Sequence, residues 1–180
     1  MKLNTLIIDD FLDDPDQIRN LVIDSKVPFH NGGNYPGKRT IPVDNLVYQN
    51  MVIEKLNQVL PFKIKMRPNF SFSYQLCLSH DETWVHLDPS DWTGVLYLTP
   101  NAPLDSGTLF FTADDEIMET IRKGETGMLE CKVASTVGNF YNRMLLFRGG
   151  DIPHRSDVAG FGDGLENGRL TQVFFFDEVR

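Results

Sequence analysis

Cysteine is scarce: Cys77 and Cys131 are the only two in 180 residues, and each lies inside an apolar segment. Two such thiols are poor material for a disulfide framework and read as reduced core residues of a cytoplasmic protein. Positive charge is also short, with 17 Lys and Arg against 25 Asp and Glu and a formal charge of −8. That balance argues against a nucleic-acid binder, because phosphate contacts rest on clustered cations. No apolar run approaches the ~18 residues of a membrane helix, so no membrane association is expected. The opening MKLNTLIIDDF has too brief an apolar stretch, and acids where a signal peptide carries small residues. Internal repeats and low-complexity tracts are absent as well. What remains is an ordinary globular composition, 41% hydrophobic and 23% charged, of a length that suits one domain over residues 1–180.

Two regimes divide the chain. Residues 3–8 read as a short strand, and Asp14-Pro15-Asp16 opens a helix: a capping carboxylate, a proline at the first helical position, an acid in the first turn. Ile18, Leu21 and Val22 share a face of that helix, which Pro28 ends. Residues 30–43 are rich in Gly, Pro and Asn and form a loop; Leu46, Ile53, Leu56 and Leu60 then mark a second helix. From residue 62 the apolar period becomes two. Strands are expected at 62–66, 70–78, 83–88, 93–99, 107–112, 128–132, within 136–148 in two pieces, and at 169–177, with one helix near 114–123. Short strands broken by turn residues predict a mainly β fold with a jelly-roll core over about 62–180, supported on one face by helices from about 1–61.

Only four histidines are present: His30, His80, His86 and His154. In Trp84-Val85-His86-Leu87-Asp88 a strand's alternation puts His86 and Asp88 on one side, able to hold adjacent positions around a metal. H-x-D alone is a weak signal, since chance supplies it often. His154 follows the apolar Met144-Leu145-Leu146-Phe147 and a Gly-rich turn, where it can point into a barrel mouth as a third ligand. Two histidines and a carboxylate leave open positions on Fe(II). Arg169 strengthens the reading. It opens Arg169-Leu170-Thr171-Gln172-Val173-Phe174-Phe175-Phe176, a run apolar enough to be central. An arginine stays charged, and burial without an anion is costly. With Thr171 on the same face it forms a clamp for a carboxylate.

These segments, in this order, resemble the Fe(II)- and 2-oxoglutarate-dependent dioxygenases, specifically their prolyl-hydroxylase-like branch. The similarity is carried by His86-Leu87-Asp88, Gly94-Val95-Leu96-Tyr97-Leu98, Ser106-Gly107-Thr108-Leu109-Phe110-Phe111, Arg143-Met144-Leu145-Leu146-Phe147 with Pro153-His154, and Arg169-Leu170-Thr171. The lead-in Ile7-Ile8-Asp9-Asp10-Phe11-Leu12 adds to it. The resemblance implies a double-stranded β-helix in which His86, Asp88 and His154 bind iron, Arg169 holds the far carboxylate of 2-oxoglutarate, and Tyr97 hydrogen-bonds the same group. It implies O₂-dependent hydroxylation of an unactivated C–H bond, with release of succinate and CO₂, on a peptidyl residue such as proline or on a small molecule. A carboxylate at Asp88 favours hydroxylation, because halogenating relatives leave that position to chloride. The competing reading is a jelly-roll module that holds a metal and catalyses nothing; it gives no reason for an inward Arg169 and Thr171.

On the substrate side, the loops 30–43 and 155–168 are expected to fold over the open face of the iron as a lid. Tyr35 and Arg39 are candidate substrate contacts, Arg39 for an anion. Trp92 is a candidate wall of the substrate site, whereas Trp84 reads as core.

Overall fold

The structure is a computed structural model that describes residues 4–25, 27–31, 35–125 and 130–179. In chain order its elements are β1 (Thr5–Ile8), α1 (Pro15–Asp24), β2 (Lys38–Arg39), α2 (Leu46–Val59), β3 (Ile64–Met66), β4 (Ser73–Cys77), β5 (Trp92–Tyr97), β6 (Thr108–Thr112), α3 (Asp115–Arg122), β7 (Lys132–Val137), β8 (Met144–Phe147), β9 (His154–Ser156) and β10 (Arg169–Glu178). Ten-residue β10 organises the larger sheet, whose order is β1-β8-β5-β10-β4-β2 with β3 pairing the end of β10. A second sheet has the order β7-β6-β9. All pairings are antiparallel.

Alternation along β10 decides what each face does. Leu170, Phe174 and Phe176 join Leu96, Met144 and Leu146 in a core beneath the helices, which contribute Ile18, Val22, Val52 and Leu56. Arg169, Thr171, Val173 and Phe175 face the other way, into the space between the two sheets. Deeper in that space Tyr97, Phe110, Val137, Leu145 and Phe147 form a second apolar cluster. The first helix starts as its sequence dictates, with the Asp14 carboxylate accepting from Gln17 N and Pro15 leading the helix. Asp114 caps α3 in the same way, through Ile117 N.

Several expectations are corrected. Residues 83–88 form no strand of their own; a single antiparallel bridge joins His86 to His154. The loop 30–43 contains β2, whose Lys38 and Arg39 pair with Leu76 and Gln75. The strand expected at 128–132 falls partly outside the described residues, and β7 begins at Lys132. Cys77 is buried, but Cys131 is only half-buried and is no core residue; both thiols are free.

Candidate metal centre and its two cavities

His86 and His154 meet because their backbones exchange two hydrogen bonds, His86 N to His154 O and His154 N to His86 O, each 3.0 Å. Directly opposed residues of such a pair project to one side, and the two imidazole centroids lie 4.4 Å apart. Asp88, two residues beyond His86, comes under both rings: His154 Nε2 is 3.1 Å from one of its oxygens and His86 Nε2 is 3.8 Å from the other. One ligand atom from each residue lies within 4.8 Å of the others.

The surroundings prepare these groups for a cation. His86 Nδ1 lies 3.0 Å from Trp84 O, and His154 Nδ1 lies 2.9 Å from Ile152 O. A carbonyl only accepts, so in each ring Nδ1 carries a proton and Nε2 is the nitrogen turned toward Asp88, the second-sphere arrangement that orients metal-binding histidines. Burial, reinforced by the neighbouring His154, pushes His86 down to about 4 and keeps it neutral near pH 7. Burial alone would raise the Asp88 carboxyl, but the charge and hydrogen bond of His154, with His86 and Thr93, hold it at about 2. Thr93 donates its hydroxyl to Asp88. Two imidazoles and an ionised carboxylate, one side open to a cavity, suit Fe(II) or a similar divalent ion.

Gly149 makes this approach possible. A Cβ there would stand 2.1 Å from Thr93 Oγ1 and 2.8 Å from an Asp88 oxygen. Its carbonyl accepts from Asp88 N at 2.9 Å. Neither Thr93 nor Gly149 was singled out from the sequence. Thr93 sits at the start of β5 facing inward, a position its alternation with Val95 does signal.

Two cavities meet at the triad. The smaller lies between the sheets, with the triad at one end and Arg169 and Thr171 at the other. Arg169 is 4% exposed. Its Nε and one terminal nitrogen donate to Ser106 O and Gly107 O, at 2.9 and 3.3 Å. Among the described residues no carboxylate is ion-paired with it. The Thr171 hydroxyl is buried in the same cavity with no hydrogen-bond partner. A cationic donor and an unmatched hydroxyl lining the cavity that also holds the triad suit the distal carboxylate of a dicarboxylate such as 2-oxoglutarate. Tyr97 is set further back: its hydroxyl is bonded to Thr108 Oγ1 at 2.7 Å, and Thr108 is the residue that lines the cavity.

The larger cavity, of about 720 Å³, shares Arg39, His86, Asp88 and Phe175 with the smaller one. Tyr35 and Arg39 line it, Arg39 lining the smaller cavity as well, but the two tryptophans exchange places. Trp92 is fully buried, stacked on Phe176 with its Nε1 donating to Glu178, and lines neither cavity. Trp84 is only half-buried and walls the larger cavity. The strand begins one residue earlier than expected, which puts Trp92 on the core-facing side with Gly94 and Leu96. Of the proposed lid, Tyr35 and Arg39 reach this cavity, but residues 157–168 line neither one. That loop is tied down instead, through Ser79 N to Gly162 O and Arg19 to Glu166 O.

No family model matches the chain, and no curated protein matches it. Solved structures do. The chain is similar to a prolyl hydroxylase from Trichoplax adhaerens, solved with a hypoxia inducible factor oxygen degradation domain peptide (TM-score 0.62, 16% identity, covering 96% of this chain and 83% of that one). It is similar to a Pseudomonas putida prolyl-4-hydroxylase (TM-score 0.57, 15% identity, 98% and 94% covered). HygX from Streptomyces hygroscopicus, with nickel and 2-oxoglutarate bound, superposes with a TM-score of 0.63 at 11% identity, covering 98% of this chain and 85% of that one. At such identities the likeness is one of fold, and it singles out no branch. Among the described residues no helix is long and apolar enough to cross a membrane. The chain therefore has the double-stranded β-helix fold and carries, between its two sheets, a two-histidine, one-carboxylate group fit to hold a divalent ion.

Proposed function

We propose that this protein is an Fe(II)- and 2-oxoglutarate-dependent oxygenase that hydroxylates an unactivated C–H bond. The observation that carries this reading is the pairing, across one cavity, of the His86–Asp88–His154 group with a buried Arg169 and an unpartnered Thr171 hydroxyl. A purely structural metal site explains the first half of that pairing and leaves the second unexplained.

Each residue has a task in this scheme. His86, Asp88 and His154 hold the ion on one face; the Trp84 and Ile152 carbonyls keep both rings in the ligating tautomer, and Thr93 steadies Asp88. Arg169, fixed by two carbonyls, grips the distal carboxylate together with Thr171. Val95, Phe147 and Val173 line the passage between and keep water from it. When bound, iron and 2-oxoglutarate supply the oxidation, O₂ being consumed as the 2-oxo acid is split to succinate and CO₂ and the substrate gains a hydroxyl. The larger cavity, which shares His86 and Asp88 with the smaller one, presents the substrate.

The test is anaerobic titration with Fe(II) and then 2-oxoglutarate, watching for the weak visible charge-transfer band of the chelate. Saturable development of the band, lost in His154→Ala, supports the scheme. Iron binding without any response to 2-oxoglutarate would instead favour a metal-holding module, and normal iron affinity in His154→Ala would remove the triad.

A further inference from the structure

The chain carries a formal charge of −8, whereas the larger cavity is lined by three cations, Arg39, Arg122 and Lys123, against two acids, Asp88 and Glu125. Arg122 and Lys123 belong to its exposed rim and each lies near Glu119. Arg39 is different. Its guanidinium carbon lies 4.2 Å from the Tyr35 ring centroid and 5.5 Å from that of Phe175, and its Nε donates to Gln75 Oε1 at 2.8 Å. The hydrogen-bonded partner is neutral, and among the described residues no carboxylate is ion-paired with it. Asp88 is the acid that bears on it electrostatically. That carboxylate is already engaged by His154 and Thr93, and would be neutralised further by a bound cation.

The backbone holds Arg39 at this spot. Gly37 has φ 68°, and a Cβ there would stand 2.2 Å from Leu76 O. Only glycine lets the Tyr35-Pro36-Gly37 turn lie against β4. Arg39 then pairs with both Gln75 of β4 and His30, its amide donating to His30 O at 3.1 Å.

Trp84 walls the same cavity, and its carbonyl orients His86. Phe70 and Phe175 add further aromatic surface. An aromatic-walled space of about 720 Å³ with one inner cation is the size of a small-molecule site. Such a site recognises a molecule with an apolar body and one anionic end.

We infer that Arg39 is the specificity-determining residue of this cavity, and that the substrate is a small carboxylic acid with an aromatic or similarly flat apolar body. The inference rests on the oxygenase reading of the triad, whose substrate class it names. Arg39 takes the carboxylate in a bidentate grip while Tyr35 and Phe175 hold the guanidinium plane, and Trp84 walls the apolar body.

Isothermal titration calorimetry on protein loaded with Ni(II) and saturating 2-oxoglutarate tests this without turnover. The probes are benzoate, 3-phenylpropionate and N-benzoylglycine, each beside its primary amide. At least one acid should bind, with its amide weaker by about tenfold or more, the worth of a charge-assisted pair. Arg39→Gln should erase that preference and leave 2-oxoglutarate affinity within about threefold, since Arg169 holds the cosubstrate. Arg39→Lys keeps the charge without the fork and should recover part of it, which separates lost recognition from lost folding. Equal binding of acid and amide, retention of the preference in Arg39→Gln, or failure of all three acids to bind would overturn the inference. So would loss of 2-oxoglutarate in Arg39→Gln, which would assign this arginine to the cosubstrate. Should the wild type bind no 2-oxoglutarate, the oxygenase reading falls, and the same acid–amide titration on Ni(II)-loaded protein still reads Arg39 separately.

Discussion

Arg169 shows how one buried side chain can be both satisfied and available. A guanidinium presents five N–H donors. Two of its nitrogens donate to the Ser106 and Gly107 carbonyls, which fix its plane without cancelling its charge. Replacement by lysine keeps the charge and loses the fork, so 2-oxoglutarate should bind weaker by about 1.5–3 kcal/mol, measured by titrating the chelate band. Unchanged affinity would mean that the cosubstrate lies elsewhere. Tyr97 makes the contrast. Its hydroxyl meets Thr108 and its ring underlies the Arg169 guanidinium at 5.7 Å. Tyr97→Phe should therefore cost about 1 kcal/mol of stability, the worth of one buried hydrogen bond, read from a denaturant midpoint. Cosubstrate affinity should move less than in the lysine variant, because Thr108 still faces the cavity.

At the scale of elements, the turn after β8 is as much a part of the metal centre as the ligands are. Gly149 leaves space for Thr93 and Asp88 to pass against the backbone. Gly149→Ala should displace that pair, destabilise the protein by about 1–3 kcal/mol through overpacking, and weaken Ni(II) binding more than its stability loss accounts for. Calorimetry of the metal site against the thermal melt separates the two; unaltered metal affinity would show that the carboxylate needs no support. The three ligands were legible in the sequence because H-x-D and a later histidine beside an apolar strand make a local pattern. Arg169 and Thr171 were legible for a similar reason, sharing a parity on a strand too apolar to be an edge. The tryptophans were not. With the strand expected to open at residue 93, Trp92 reads as a loop residue; β5 includes it, and alternation with Gly94 and Leu96 turns it to the core. Arg39 in β2 and the bridge at His86 depend on partners distant in sequence, β4 and β9, which local periodicity cannot supply. The loop 155–168 carries Gly and Asp as a mobile lid would, yet its anchors to Ser79 and Arg19 are tertiary and leave no mark in composition.

Considered as a whole, the molecule gathers ionisable groups that must stay uncharged or charged against the preference of a buried site, and this sets its response to acid. In the metal-free protein His86 has its folded value near 4, below the ordinary 6.5, so the unfolded chain binds the extra proton first as pH falls. Stability is therefore lost as pH drops from about 6.5 towards 4. Asp88, held near 2 against an ordinary 3.8, acts in the same direction over a lower window: its contribution is present above 3.8 and disappears as pH falls through 2. Together the two should lower stability by a few kcal/mol between neutral pH and pH 4, most of it from His86, because Asp88 is still ionised there. Thermal melts in a chelator across pH 4–7 measure this directly, with His86→Gln as the control that should flatten the upper part of the curve. A wild-type melting temperature that holds steady or rises on acidification would contradict the burial of a neutral His86. Adding Ni(II) should raise the melting temperature at pH 7, where His86 is unprotonated, and progressively less as protons compete for the ligand nitrogens. A metal-induced shift that persists undiminished at pH 4 would place the bound ion on carboxylates alone, away from His86 and His154.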